Sequence, residues 1–331
     1  MSDMHTWVAN FDAQLSDAEQ ISKQASLHKS EFEIHNVLIA GLGGSGIGAT
    51  IVSELAKTNS SIPVTVNKDY FCPKFVNKHT LFIASSYSGN TEETIACAEE
   101  ALRKGAKVVI ITSGGKFEEM AKEHNLDIIL LPKGYQPRAC LGYSLYQLMT
   151  VLAFHQVLPQ SLIDERAEIP TFITQNKEKC KAQGEKIAQF LRNSIPIIYS
   201  ESHMEGVTIR LRQQINENSK MLCWHHVIPE MNHNELVGWA NKSENHAVLF
   251  ITDPDGYYRN KERTQYCIQE VSKYTSRIMR WEAEGKTLLQ KIFYLIHAGD
   301  WASMYLADMN EVDAMDIKVI DSLKMTLAGL K

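Results

Sequence analysis

Short apolar runs alternate with amphipathic stretches along the first half of the chain. The runs that predict buried strands cover residues 36–40, 64–66, 80–84, 107–111 and 127–131. Helical patterns separate most of these runs at 47–57, 91–104 and 117–124, and others cover the first 35 residues and 142–157. Alternating strands and helices are typical of a parallel sheet with helices on both faces.

The same alternation returns in the second half. Strands are predicted at 195–199, 248–252 and 278–281, and helices at 207–220, 261–274, 288–308 and 316–328. Between the halves, Pro159 and Pro170 interrupt the pattern, and a polar helix is predicted over 171–192. We therefore predict an α/β protein of two domains, residues 1–155 and 156–331, with the boundary near 155–170.

Composition and charge exclude several classes of protein. The formal net charge of -5 provides no global basic field for nucleic acid. No apolar stretch reaches the roughly 20 residues that span a membrane. Residues 1–11 lack the apolar core of a signal peptide, so we expect a cytoplasmic protein.

The cysteines are scattered and predict free thiols. They are Cys72, Cys97, Cys140, Cys180, Cys223 and Cys267. Only Cys223, His225 and His226 form a cluster that resembles a metal site, and no second ligand pair follows at the usual spacing. We therefore expect no metal site.

A glycine-rich loop, Gly41–Gly48, follows the first predicted strand and opens a helix. Such a loop lets backbone amides approach an anion at a helix N-terminus. A dinucleotide site uses the same device, with an acid at the end of the next strand. Here that acid would be Asp69, next to Lys68. A plain strand-to-helix turn is the third interpretation.

A second loop, Ser85–Thr94, follows the third strand and is rich in hydroxyls. Ser86, Ser88 and Thr91 could surround a phosphate dianion at the start of the next helix. The alternative is helix capping by Thr91 with Thr94 at the third helical position. Because carboxyl ends of neighbouring parallel strands form a binding crevice, we expect both loops to meet there.

The second loop resembles the phosphosugar-binding signature of the sugar isomerase (SIS) domain. Further matches are Gly43-Gly-Ser-Gly46, Pro137-Arg138, Asn216-Glu217-Asn218-Ser219-Lys220, Asn232-His233-Asn234-Glu235 and Leu323-Lys324. Together they resemble the bifunctional phosphoglucose/phosphomannose isomerase family. The resemblance implies two SIS-type, flavodoxin-like domains, each a parallel sheet flanked by helices.

The resemblance also implies a substrate-phosphate site. Gly44 and Ser45 of the first loop would act with Ser86, Ser88 and Thr91 of the second. The implied substrate is glucose 6-phosphate, with fructose 6-phosphate as the ketose, and mannose 6-phosphate is a second candidate. A family threonine that leaves the sugar room to rotate about its C2–C3 bond, and so permits mannose chemistry, has no counterpart in the helix before Lys324, so the resemblance supports glucose 6-phosphate more strongly than mannose 6-phosphate.

The remaining roles follow from the same resemblance. Glu217 is the expected base that shuttles a proton through an enediol(ate), and Arg138 is the cation that stabilises it. His233 is expected to open the sugar ring, assisted by Lys324, with Lys318 as the alternative lysine. The family's histidine reaches across a dimer interface, so we expect a homodimer with shared sites.

Two other functions remain open at this point. A SIS protein could bind a phosphosugar without converting it, which would need the hydroxyl loop but not Glu217, Arg138 and His233 together. A nucleotide-dependent oxidoreductase could use the glycine loop. The isomerase requires proton transfer alone, so we expect no cofactor.

Overall fold

The computed structural model describes residues 3–241 and 245–329. The first sheet contains β1 (Asn36–Ala40), β2 (Val64–Asn67), β3 (Thr80–Ser85), β4 (Lys107–Thr112) and β5 (Asp127–Leu130). Its strands are parallel in the order β2-β1-β3-β4-β5. The helices of this half are α1 (Asp3–Ala9), α2 (Phe11–Gln24), α3 (Gly43–Asn59), α4 (Glu92–Arg103), α5 (Lys116–Glu123) and α6 (Leu141–Phe154).

The second sheet contains β6 (Ile195–Glu201), β7 (Trp224–Ile228), β8 (His246–Thr252) and β9 (Ile278–Glu282). It is parallel in the order β7-β6-β8-β9. The helices are α7 (Gln160–Leu191), α8 (Glu205–Ser219), α9 (Tyr258–Val271), α10 (Leu288–Met309) and α11 (Lys318–Ala328). The predicted fold class, two parallel sheets flanked by helices, is confirmed.

One apolar core joins the two halves. Alternate residues of a strand point to opposite faces of its sheet, so Ile39 and Ile83 face the same core as Ile198 and Leu249 of the second sheet. Helices α2, α3, α6, α7, α8 and α10 all contribute buried residues to this core. Since α7 packs against both α2 and α10, the division into residues 1–155 and 156–331 stays a prediction.

Several helices differ from their predicted bounds, and one strand was not predicted. The first 35 residues form two helices, α1 and α2, and the chain is no longer helical after Gln24. The terminal helix begins at Lys318 rather than 316. Strand β7 was missed because it is a half-exposed edge strand that starts with Trp224, His225 and His226.

The prediction that Pro170 interrupts the pattern and that a helix begins only at residue 171 was wrong. Helix α7 begins directly after Pro159 and continues through Pro170. Proline lacks the N–H that would bond the carbonyl four residues earlier, which belongs to Arg166. The Tyr146 hydroxyl donates to that carbonyl at 3.1 Å. A tertiary hydrogen bond therefore satisfies the group that the proline leaves free.

Glu54 on α3 connects the first half of the chain to the start of α8 through hydrogen bonds. Its Oε1 and Oε2 accept from the Gly206 amide at 2.8 and 3.0 Å. A Cβ at position 206 would lie 2.9 Å from Glu54 Oε2 and 2.8 Å from Ile51 Cγ1, so only glycine fits. Burial raises the pKa of Glu54 from its ordinary 4.5 to about 7, against the lowering effect of the Gly206 hydrogen bond.

This raised pKa predicts a pH-dependent stability. The protonated carboxyl favours the folded state, so its contribution is complete below pH 4.5 and is lost as the pH rises through about 7. The stability of the wild type relative to Glu54→Gln should fall by about 3 kcal/mol over that interval. Urea unfolding at several pH values measures this difference, and exposed Glu123→Gln controls for the loss of one carboxylate. Parallel curves for wild type and Glu54→Gln would refute the prediction.

Candidate active site

Two loops meet at the carboxyl edge of the first sheet. They follow β1 and β3, neighbouring strands from which the chain leaves in opposite directions, the position where open sheets bind ligands. A Cβ at Gly41 would lie 2.6 Å from the Ser85 carbonyl oxygen, so the strand ends are in close contact. Ser45 Oγ accepts from the Tyr87 amide at 3.0 Å. The structure therefore brings the two predicted phosphate loops together.

Two hydroxyls of the second loop, those of Ser86 and Thr91, face one another. Ser86 Oγ and Thr91 Oγ1 lie 2.9 Å apart. Thr91 occupies the predicted N-cap of α4, which confirms the capping position, but its side chain makes no capping bond to the described helix amides. Ser88 is exposed, and its Oγ accepts from the Asn90 amide at 3.3 Å. The hydroxyls thus gather at a helix N-terminus, where the field favours an anion.

Arg138 lies directly beside the first loop. It belongs to a short 3-10 turn, Pro137–Ala139, which packs against the start of α3. A Cβ at Gly44 would lie 2.7 Å from the Pro137 carbonyl oxygen and 2.9 Å from the Arg138 amide nitrogen. Glycine at position 44 is therefore what lets the arginine turn approach the loop.

The guanidinium of Arg138 connects the two halves. Its Nη1 lies 2.9 Å from Glu217 Oε1, its Nε donates to Asn218 Oδ1 at 2.8 Å, and its Nη2 donates to the Ala314 carbonyl at 2.6 Å. The Arg138 side chain is 3% exposed and that of Glu217 is 30% exposed. Burial lowers the pKa of Arg138, and the carboxylate of Glu217 opposes that change. The carboxylate therefore remains open to a ligand while the cation beside it is enclosed.

The sequence analysis missed the polar row on α8 that holds Arg138. Arg210 Nη2 donates to the Arg138 carbonyl at 2.7 Å and to Asp300 Oδ2 at 2.8 Å. Gln214 Nε2 donates to Asp300 Oδ1 at 2.9 Å. Arg210, Gln214 and Asn218 are spaced four residues apart, so they share one buried face of the helix. This four-residue spacing, visible in the sequence, could have predicted a shared polar face of the helix.

His233 lies away from this cluster. It ends a 3-10 turn, Glu230–His233, beyond the carboxyl end of β7. Glu217 is in the last turn of α8, which runs back from the carboxyl end of β6 to the amino end of β7. Since α8 has 15 residues, it is about 22 Å long. In one chain, Glu217 therefore lies near the amino ends of the strands of the second sheet, and His233 lies beyond their carboxyl ends.

The two candidate lysines lie on the exposed terminal helix. The Lys324 side chain is 68% exposed, and its Nζ lies 3.5 Å from Asp321 Oδ1. Lys318 Nζ lies 3.2 Å from Asp316 Oδ2. No contact among residues 3–241 and 245–329 brings either lysine to the Arg138–Glu217 pair.

The remaining candidate residues make local polar contacts. Asp69 is exposed and accepts from the Tyr70 amide at 2.7 Å. His225 Nδ1, in the cysteine–histidine cluster, lies 3.2 Å from Arg212 Nη1. Across residues 3–241 and 245–329, no group of three or more His, Cys, Asp or Glu could hold a metal ion. No helix in those ranges is long and apolar enough to cross a membrane.

Comparison with known proteins identifies the class and then the family. The SIS domain model matches residues 32–154, and the model "Bacterial phospho-glucose isomerase C-terminal SIS domain" matches residues 180–327. The fold and the two-loop crevice thus define a protein of two SIS domains. The chain belongs to the bifunctional phosphoglucose/phosphomannose isomerase family, which confirms the predicted resemblance.

Similar family members support this identification, and a solved structure shares the fold. The chain is 36% identical to the Caldicellulosiruptor bescii bifunctional phosphoglucose/phosphomannose isomerase over 98% of each chain. It is 33% identical to the Aquifex aeolicus enzyme of that name over 93% of each chain. The C-terminal domain of glucosamine-fructose-6-phosphate aminotransferase from Francisella tularensis shares the fold, with a TM-score of 0.75 and 13% identity over 95% of this chain and 97% of that chain.

The contact at Gly44 predicts that a single methyl group disrupts the site. Gly44→Ala should lower the unfolding free energy by about 1–3 kcal/mol, because the added Cβ meets backbone atoms that cannot rotate away. Gly238→Ala is the matched control, since a Cβ there would meet nothing within 4 Å. Urea unfolding compares the two variants. Equal midpoints would contradict the close approach of the arginine turn.

Proposed function

We propose that this chain interconverts glucose 6-phosphate and mannose 6-phosphate with fructose 6-phosphate. The observation that carries the proposal is the Arg138–Glu217 pair, formed between the two halves at 2.9 Å beside the glycine loop. The names of the relatives point to the same reaction and do not favour a non-catalytic phosphosugar receptor. A cytoplasmic location stays a prediction.

The phosphate of the substrate binds between the two loops. The N-termini of α3 and α4 both open there and supply backbone amides and a favourable field. Gly44 and Ser45 border the phosphate on one side, and the hydroxyls of Ser86, Ser88 and Thr91 donate on the other. These groups hold the part of the substrate that does not react, which fixes the sugar carbons relative to Glu217.

Glu217 transfers the proton. Its carboxylate removes the proton from C2 of the open aldose, which leaves an enediolate, and returns it to C1. The proton of the C2 hydroxyl passes to the oxygen on C1, so the ketose carbonyl forms at C2. Negative charge then develops on the sugar oxygens next to the Arg138 guanidinium. That cation is already held by Asn218 and the Ala314 carbonyl, so little reorganisation is needed when the charge appears.

Removal of the charge on Glu217 should lower turnover and leave substrate binding largely unchanged. In Glu217→Gln, kcat should fall by roughly 100- to 10,000-fold, while KM changes little because the phosphate loops are intact. A coupled assay with each hexose 6-phosphate, in the presence of EDTA, measures both constants. Glu205→Gln, at the opposite end of α8, is the control and should keep normal turnover. Normal turnover in Glu217→Gln would show that another group is the base.

Opening of the sugar ring requires a second chain. His233 lies at the far edge of the second sheet from Glu217 of its own chain, so we propose that a homodimer supplies the histidine in trans. Helix α11 exposes apolar side chains that a partner chain would cover: Val319, Leu323 and Met325 are 85%, 58% and 71% exposed. Lys324 would assist ring opening when α11 is packed in the dimer, with Lys318 as the alternative.

The shared site can be tested by mixing inactive variants. His233→Ala and Glu217→Gln, refolded together, should recover about one quarter of wild-type activity, because half of the dimers are mixed and each has one intact site. Glu217→Gln mixed with Arg138→Ala is the control, since those residues serve the same site from one chain and no intact site can form. If the first mixture also recovered no activity, the histidine would not be supplied by the partner chain.

A further inference from the structure

Lys220 ends α8 in a backbone conformation that lysine rarely adopts. Its φ and ψ are 56° and 36°, in the left-handed region. Glycine or asparagine is usual at this position, and another residue costs roughly 1–2 kcal/mol there. A lysine three residues after Glu217 therefore occupies a position where its backbone conformation is unfavourable. An outlier of this kind beside a site suggests that the side chain has a function.

The ammonium of Lys220 joins two segments of the site. Its Nζ donates to the Glu217 carbonyl at 2.6 Å and to the Asp316 carbonyl at 2.7 Å. The first acceptor is in the last turn of α8, where carbonyl groups lack partners in the helix. The second is in the segment that leads to α11. Arg138 holds the same segment through the Ala314 carbonyl at 2.6 Å.

We infer that Lys220 is a positioning residue that ties the turn carrying Glu217 to the segment from which α11 begins. The inference rests on the proposed function, since it concerns the orientation of the Glu217 carboxylate. Arg138 fixes the Glu217 carboxylate and Lys220 fixes the Glu217 backbone, so the two cations restrain the same residue at both ends. The tie also sets where α11, with its two candidate lysines, leaves the body of the chain.

Lys220→Asn tests this role. Asparagine tolerates the left-handed conformation but cannot reach both carbonyls, so the tie is lost without added backbone strain. We expect kcat to fall at least about tenfold, since small displacements of a reacting group are costly, with KM for glucose 6-phosphate nearly unchanged. Lys220→Arg, which keeps a long cationic donor, should recover part of the loss.

Gln156→Asn is the matched control. Gln156 also follows the end of a helix in the left-handed region, with φ 62°, and lies at the end of α6 remote from the arginine turn. It should keep wild-type kcat. A wild-type kcat in Lys220→Asn would overturn the inference, because the side chain would then serve only to end the helix.

Hydrogen exchange provides a readout that does not depend on turnover. In Lys220→Asn the amides of residues 314–324 should exchange faster than in wild type, while those of the first sheet should not change. Unchanged exchange in that segment would refute the tie even if kcat fell. If the wild type converted no hexose 6-phosphate, the proposed function would fail, whereas exchange would still decide whether Lys220 holds the segment.

Discussion

The site depends on one buried guanidinium that is held by the end of α8 and by the segment before α11. Arg138 contacts Glu217 and Asn218 at the end of α8 and the Ala314 carbonyl before α11, and its own carbonyl accepts from Arg210. A buried cation is tolerated only when its donors are satisfied, and loss of one partner costs about 3–5 kcal/mol. The folded chain must therefore bring these segments together.

This requirement explains how the two halves cooperate. The first sheet supplies the crevice and the N-termini of α3 and α4, whereas the second half supplies the carboxylate through the end of α8. The contact at Gly44 brings the arginine turn against the first loop, and Glu54 fastens α3 to the start of α8. The anion pocket and the carboxylate are thus linked by packing at both ends of α8.

Much of this arrangement could be predicted from the sequence, because it depends on local patterns. The apolar runs indicated eight of the nine strands of the described chain, and the glycine and hydroxyl loops marked the ligand crevice. The path of α7 through Pro170 depended on the distant Tyr146 hydroxyl, and β7 lacked an apolar run. The separation of His233 from Glu217 follows from topology and not from any local motif.

The central claim is that a phosphate held by the first half places the reacting carbons at Glu217. A crystal structure of the Glu217→Gln variant with glucose 6-phosphate tests this claim most directly. The account predicts the phosphate among Ser45, Ser86 and Thr91, with C1 and C2 of the open sugar within about 3.5 Å of the side chain at position 217. A sugar bound in the crevice with those carbons directed away from that side chain would contradict it.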